Sequence, residues 1–145
     1  MKNKFLLTIV CICCICAQSF AQTVRGQTSV SYIFTTILTT DDVTISVRVK
    51  NGTNNNGGHG VTIYWQVRNK INKPVFLEGT YTGFGSPLDG HNINKEGGTL
   101  PESKVEPYKT EIFETFAENM LSVTSISAEL THVYKKSAVS SGNGN

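Results

Sequence analysis

The stretch Val43–Lys50, VTISVRVK, alternates strictly between apolar and polar residues. All of its β-branched apolar residues fall at odd positions, so an extended chain would place them on one face. The pattern recurs in Val61–Arg68, VTIYWQVR, where the odd positions are again apolar and include Trp65. Both stretches are therefore predicted to be strands with one buried face, and Trp65 is predicted to lie at the centre of the core.

The residues around these two strands predict the first connections. Residues 51–60, NGTNNNGGHG, contain four glycines and no apolar side chain, which predicts a long hairpin loop. Upstream, Ser29–Leu38 is rich in Thr, Ile, Tyr and Phe, and Asp41–Asp42 is typical of a turn. We expect a first strand in this segment, paired with the strand that begins at Val43.

Downstream, turns and glycines interrupt the pattern. Asn69–Pro74 is predicted to be a turn, and Val75–Phe84 a less regular strand in which Gly79 and Gly83 indicate a bulge or an edge position. Residues 85–103 contain Gly, Pro, Asn and Asp with little hydrophobic periodicity. That segment is predicted to be an exposed connection.

The last part of the chain leaves one alternative open. Residues 108–120 fit either a helical stripe or an extended strand, and their Thr and aromatic content favours the strand. Leu121–Tyr134 is predicted to be a long final strand. Its inward-facing residues change from odd positions at Leu121 to even positions at Ile126, which predicts a bulge near Thr124–Ser125.

These segments predict the fold class. Six or seven strands, separated by turns and not alternating with helices, are typical of an all-β protein built as an antiparallel β-sandwich.

The first 21 residues predict a secretory signal peptide. Lys2 and Lys4 precede an apolar run that holds all four cysteines, and Ser19–Ala21 supplies a small-x-small cleavage site. We expect a mature chain that begins at Gln22, exported to the periplasm or beyond, with one domain over 22–136 and a disordered tail over 137–145. No later stretch approaches the length of a membrane-spanning helix, so no transmembrane segment is predicted.

The net charge of the mature chain limits which classes of binding partner are expected. The chain has 13 Lys and Arg against 11 Asp and Glu, and two of the lysines belong to the predicted signal peptide. The mature chain is therefore close to neutral. Without a basic excess, a nucleic-acid partner is not expected.

No residue pattern predicts catalysis, a metal or a cofactor. His59 and His91, with Asp89 nearby, have no diagnostic metal-ligand spacing. Residues 92–97 start like a calcium loop, but Ser103 stands where the bidentate Glu is required. After residue 16 the chain has no cysteine, and it has no Gly-x-Ser-x-Gly turn. We therefore expect a protein that is not an enzyme.

Several segments in chain order resemble small exported bacterial immunoglobulin-like domains. They are a strand ending in Asn51–Thr53, the strand that ends in Arg68–Lys70, the turn Leu100–Ser103, and two final strands over 110–116 and 123–134. Glu102 stands where the family turn prefers Gly, and the insertion at residues 54–60 is unusual. The resemblance implies a sandwich fold and carries no functional residues with it.

The predicted function is a binding module that holds a protein or glycan partner through its two long loops, residues 51–60 and 85–103. A sugar ring would stack on Tyr64, Tyr81 and Phe84 if these shared an exposed face. One alternative is an envelope or fibre component assembled by edge-strand pairing. The other is a periplasmic inhibitor or immunity-type protein. The sequence leaves the oligomeric state open. The candidate loop residues are Asn51, Asn54, Asn55, His59, Asp89, His91, Asn92 and Asn94.

Overall fold

The computed structural model describes residues 23–53, 57–90, 92–101 and 103–134, with the backbone alone at 53 and 132–134. These residues form nine strands: β1 Val24–Ser29, β2 Thr35–Thr39, β3 Val43–Thr53, β4 His59–Asn69, β5 Val75–Pro87, β6 Lys95–Thr99, β7 Lys104–Val105, β8 Thr110–Ala117 and β9 Met120–Tyr134. Within these ranges, no helix is long and apolar enough to cross a membrane.

The strands form two antiparallel sheets that pack face to face. One sheet has the order β1-β9-β5-β6, with β7 also paired to β5, and the other has the order β2-β3-β4-β8. The predicted all-β antiparallel sandwich is confirmed, with nine strands in the described residues where six or seven were expected. The predicted signal peptide (1–21) and tail (137–145) lie outside the described residues.

Trp65 lies at the centre of the core, as predicted, with 1% of its surface exposed. Its indole Nε1 donates a 3.0 Å hydrogen bond to the Thr115 hydroxyl on β8. Its ring packs against Tyr81 of β5 in the opposite sheet, with the ring centroids 5.1 Å apart. The other predicted inward residues of β3 and β4 are also buried: Val43, Ile45, Val47, Val49, Val61, Ile63 and Val67.

The hairpin loop after β3 is shorter than predicted. The β3–β4 ladder continues through Asn51↔Val61 to Thr53↔His59, so only residues 54–58 connect the strands. Backbone hydrogen bonds hold a two-stranded ladder whether or not its side chains are apolar. The polar composition of residues 51–60 therefore did not mark the end of either strand.

The predicted first strand, Ser29–Leu38, is a strand only in its last part, because β2 begins at Thr35. β2 pairs with β3 as expected, whereas β1, which the sequence did not reveal, pairs with β9 in the opposite sheet. The predicted turn at Asp41–Asp42 is confirmed. The Thr40 hydroxyl accepts hydrogen bonds from the backbone N–H groups of Asp42 and Val43 at 3.3 and 3.1 Å.

β5 is a central strand with a bulge, so of the two alternatives for its glycines the edge position is wrong. It lies between β9 and β6, and its register against β9 shifts between Glu78 and Gly79. A Cβ atom added at Gly79 would lie 2.4 Å from the Glu129 carbonyl oxygen. Close approach of the β9 backbone therefore explains this glycine.

The segment 85–103 is not a simple exposed connection. β5 extends to Pro87, β6 occupies Lys95–Thr99, and Leu100 and Ser103 are buried. The prediction failed because β6, KEGGT, lies at a sheet edge and is mostly exposed. An edge strand of this kind needs no hydrophobic alternation.

Residues 108–120 contain strand β8, so the favoured alternative is confirmed. The predicted bulge near Thr124 is also confirmed, because Phe84 pairs with Ser125 while Gly85 pairs with Val123. One detail was wrong. Leu121 was expected to face inward, but it is 53% exposed, because a second register shift leaves it unpaired between Met120 and Ser122.

Asn69, predicted as the first residue of a turn, is a buried structural side chain with 1% exposure. Its amide nitrogen lies 2.7 Å from the Lys73 carbonyl oxygen and 3.0 Å from that of Val105, and its Oδ1 accepts from the Ile71 N–H at 3.0 Å. These hydrogen bonds close the turn after β4 and fix β7 beside it. The nitrogen and the oxygen of this buried amide thus both have hydrogen-bond partners.

Replacing Ile63, which is completely buried, with Ala should lower the free energy of unfolding by about 2 to 5 kcal/mol, because the substitution leaves a cavity between the sheets. Chemical denaturation measures this loss. The neighbouring Thr62 lies on the outer face, and Thr62→Ala should cost no more than about 1 kcal/mol, the span of β-strand propensity. A loss below about 1 kcal/mol for Ile63→Ala would contradict the assignment of the inner face.

Candidate functional site

The two connections that the sequence singled out meet at one end of the sandwich. The β3–β4 hairpin and the segment between β5 and β6 border an open depression of about 600 Å³, the loop cleft. The loop cleft is lined by Asn51, Gly52, His59, Gly60, Leu88, Asp89 and Leu121. Residues from three distant parts of the chain thus share one concave surface.

The structure brings some of the predicted site residues together. Asn51, His59 and Asp89 are exposed and all three line the loop cleft. Asn92 and Asn94 are exposed but are not among its lining residues. Asn54, Asn55 and His91 lie outside the described residues.

Hydrogen bonds hold the β5–β6 side of the loop cleft against the turn between β8 and β9. The Leu88 N–H donates to the Asn119 carbonyl oxygen at 2.8 Å. The Glu96 carboxylate accepts from the N–H groups of Glu118 and Asn119 at 3.2 and 3.0 Å. Where β5 and β6 approach each other at the base of this connection, the Gly85 N–H donates to the Asn94 carbonyl oxygen at 3.0 Å. The cleft is therefore attached to the sandwich on this side.

Glu96 has a structural role that sequence reasoning did not find. The sequence placed it within a segment that starts like a calcium loop, whereas in the structure both of its carboxylate oxygens bind backbone N–H groups of the β8–β9 turn. A carboxylate is a strong acceptor for such groups. No sequence signal links Glu96 to a turn more than 20 residues later.

Leu88 and Leu121 are the apolar residues of the loop cleft that sequence reasoning missed. Leu121 was assigned to the core because it continues the apolar alternation of β9. The register shift beside it turns its side chain outward and into the cleft. The sequence did contain one signal: Leu121 is an odd-numbered apolar residue in a strand whose later inward-facing residues have even numbers.

The described residues contain no ligand set for the metal site that was considered at His59, Asp89 and His91. In this part of the chain, no group of three or more His, Cys, Asp or Glu side chains is arranged to hold a metal ion. His59 and Asp89 border the same cleft, but nothing joins them to a third ligand among the residues described.

The aromatic platform considered for sugar stacking is wrong. Tyr81 is buried between the sheets against Trp65. Tyr64 lies on the other sheet, where its ring faces the Arg48 guanidinium at 4.7 Å, and a Phe34 ring contacts the same guanidinium at 4.8 Å. Rings on different sheets, one of them inside the core, cannot form one stacking surface.

The fold defines the chain as an antiparallel β-sandwich, and comparison with known proteins adds only a distant likeness. A solved structure of the Salmonella enterica trimeric lipoprotein SadB is similar over 92% of this chain and 75% of that chain, with a TM-score of 0.48 and 10% sequence identity. No protein-family model matches this chain, and no curated protein matches it in sequence.

Glu96→Ala should loosen the attached side of the loop cleft, because the two turn N–H groups lose their acceptor. We expect a loss of about 1 to 2 kcal/mol in the free energy of unfolding and faster hydrogen exchange at the amides of Glu118 and Asn119. Glu78→Ala, which removes an exposed carboxylate on β5, is the matched control. Exchange rates equal to those of the wild type in Glu96→Ala would show that the carboxylate does not hold the turn.

The burial of Tyr81 determines how a rise in pH changes the stability of the fold. Burial raises the pKa of the Tyr81 phenol above its ordinary value of 10.0, while a hydrogen bond with Thr115 opposes this rise and the charge of Glu96 adds to it. Below pH 10 the phenol is neutral in both the folded and the unfolded chain. Above that pH the unfolded chain ionises first, so folding stability falls as pH rises.

The Tyr81→Phe variant should therefore lose less stability than the wild type when the pH is raised through 10, since it has no proton to release at this position. Denaturation curves at neutral pH and above pH 10 give the change in the free energy of unfolding with pH for the variant and for the wild type. Tyr32→Phe, which changes a tyrosine that is 77% exposed, serves as the control for loss of a phenol outside the core. Equal changes for Tyr81→Phe and the wild type would contradict the prediction.

Proposed function

We propose that this protein is an exported, non-catalytic binding module that holds a protein partner in the loop cleft. The observation that supports this proposal is the convergence of the β3–β4 hairpin, the segment after β5 and the start of β9 on one concave surface. The first two start from strands of a two-sheet scaffold, and the segment after β5 is tied to the β8–β9 turn by hydrogen bonds. Loops positioned by a rigid scaffold are the usual recognition surfaces of such folds.

The chemistry of the lining favours a protein over a glycan. Leu88 and Leu121 supply apolar contact area, and Asn51, His59 and Asp89 supply polar groups beside them. Protein–protein contacts have this arrangement, with an apolar centre that excludes water and a polar rim that sets orientation. The open shape of the depression suits a protruding loop or side chain of a partner.

Export and fold type are part of the same proposal. The Lys2 and Lys4 start, the apolar run and the small-x-small site support secretion to the periplasm or beyond. A tryptophan buried between two antiparallel sheets, as Trp65 is, supports an immunoglobulin-like type of sandwich.

Partner capture tests the proposal. A photo-crosslinking amino acid at Leu121, introduced in the native host, should link the chain to one partner protein, whereas the same group at Ile33 should not. Ile33 is 62% exposed and does not line the loop cleft, so it is a matched apolar control. The linked protein is then purified, and its affinity for the chain is measured.

The Leu88→Ser/Leu121→Ser variant should bind that partner about tenfold more weakly, because the apolar anchors are lost. Thermal unfolding should change little, and Ile33→Ser should bind like the wild type. Unchanged affinity in the double variant would refute the cleft as the binding surface. A chain that links to no protein but binds glycans would refute the choice of partner.

A further inference from the structure

β8 presents an open backbone edge. It pairs with β4 on one side, from Thr110↔Arg68 to Ala117↔Val61, and no strand among the described residues pairs with its other side. The hydrogen bond from the Asn69 N–H to the Lys109 carbonyl oxygen shows which residues of this ladder face β4. By the alternation of an antiparallel ladder, the residues that turn their N–H and C=O groups outward are Thr110, Ile112, Glu114 and Phe116.

Among the strands that the structure describes, the other sheet edges are bulged, covered or short, whereas β8 is long and regular. β2 has a bulge, and β1 lies against it so closely that a Cβ atom added at Gly26 would lie 1.9 Å from the Ile37 carbonyl oxygen. β6 is short and includes Lys95, and β7 has only two residues. β8 has eight residues without a register shift, and its sequence TEIFETFA contains no Lys and no Pro. Glu111 and Glu114 are its charged residues, and a long regular edge with no bulge, Lys or Pro is a template for pairing with another strand.

The side chains on the outer face of β8 suit a second copy of the same strand. In an antiparallel pair centred on Ile112, this residue faces its own equivalent, and both isoleucines, each 53% exposed in the single chain, would be covered. Glu114 then lies opposite Thr110 of the second copy. A pair centred on Glu114 would instead set two carboxylates against each other, which is unfavourable.

Arg68 adds charge complementarity to the arrangement centred on Ile112. It is exposed on β4 and lies directly beside Thr110 in the ladder. Across Thr110, it would face Glu114 of the second copy at about twice the spacing of neighbouring strands, roughly 10 Å between backbones. Extended Arg and Glu side chains can bridge this distance above the small Thr110. The contact occurs twice, because the pair has twofold symmetry.

We propose that two copies of this chain dimerise by antiparallel pairing of β8, with Ile112 on the twofold axis, so that two four-stranded sheets become one continuous sheet. The same surface is used by both copies, so the assembly closes as a dimer and does not extend into a fibre. This inference uses none of the residues of the loop cleft. Its failure would leave the proposed partner binding unaffected, and the reverse also holds.

Sedimentation velocity of the exported protein over about a hundredfold range of concentration should show a monomer–dimer equilibrium with no larger species. Ile112→Pro should give a monomer at every concentration. The Ile112 N–H points away from β4, so Pro blocks the outer edge without removing a hydrogen bond of the existing ladder. Thermal unfolding of Ile112→Pro should stay close to that of the wild type at concentrations where the wild type is monomeric.

A charge exchange tests the register without altering the backbone. Glu114→Arg should weaken dimerisation by about fivefold or more, because Arg68 of the second copy then faces a like charge. The double variant Arg68→Glu/Glu114→Arg should restore most of the dimer. A wild-type protein that is monomeric throughout, a dimer that persists in Ile112→Pro, or a double variant no better than Glu114→Arg would overturn the proposal.

Discussion

The contact of Trp65 with Tyr81 and Thr115 is the constraint on which the rest of the sandwich depends. Every cysteine of the chain precedes residue 17, so no disulfide can join the two sheets, and packing must hold them together. Trp65 fills the space between β4 and β5, and its one polar atom is satisfied by Thr115 of the adjacent strand. Because the hydrogen bond is made within the sheet, the whole ring is free to contribute its apolar area to the interface between the sheets.

Residues with a strict period of two were predictable, and they account for the central strands. β3 and β4 could be read from the sequence because each has one buried and one exposed face, which leaves a clear alternation. β6 could not, because an exposed edge strand has no such alternation. Its Gly97 was taken as a loop residue, yet a Cβ atom added there would lie only 2.6 Å from the Tyr81 carbonyl oxygen. The same residue type marks both a turn and a close approach between strands, and sequence alone does not separate the two.

The candidate site was predictable in part for a similar reason. Polar, glycine-rich segments indicate connections, so the two loops and residues such as Asn51, His59 and Asp89 could be identified. These connections adjoin each other because the sheet that contains the β3–β4 hairpin packs on the sheet that contains β5 and β9. This long-range arrangement has no local signature. The attachment through Glu96 is also a long-range contact and could not be foreseen.

The bulged strand β9 and the regular strand β8 produce two different surfaces. β9 shifts register three times against β5, and at each shift one extra β9 residue is left unpaired. At Leu121, this turns an apolar side chain away from the core and into the loop cleft. β8, which immediately precedes β9, has no shift against β4 and is the last strand of its sheet among the described residues. A bulge exposes a side chain and a regular edge exposes backbone groups, so the proposed partner binding in the cleft rests on side-chain chemistry, whereas the proposed dimer rests on strand pairing.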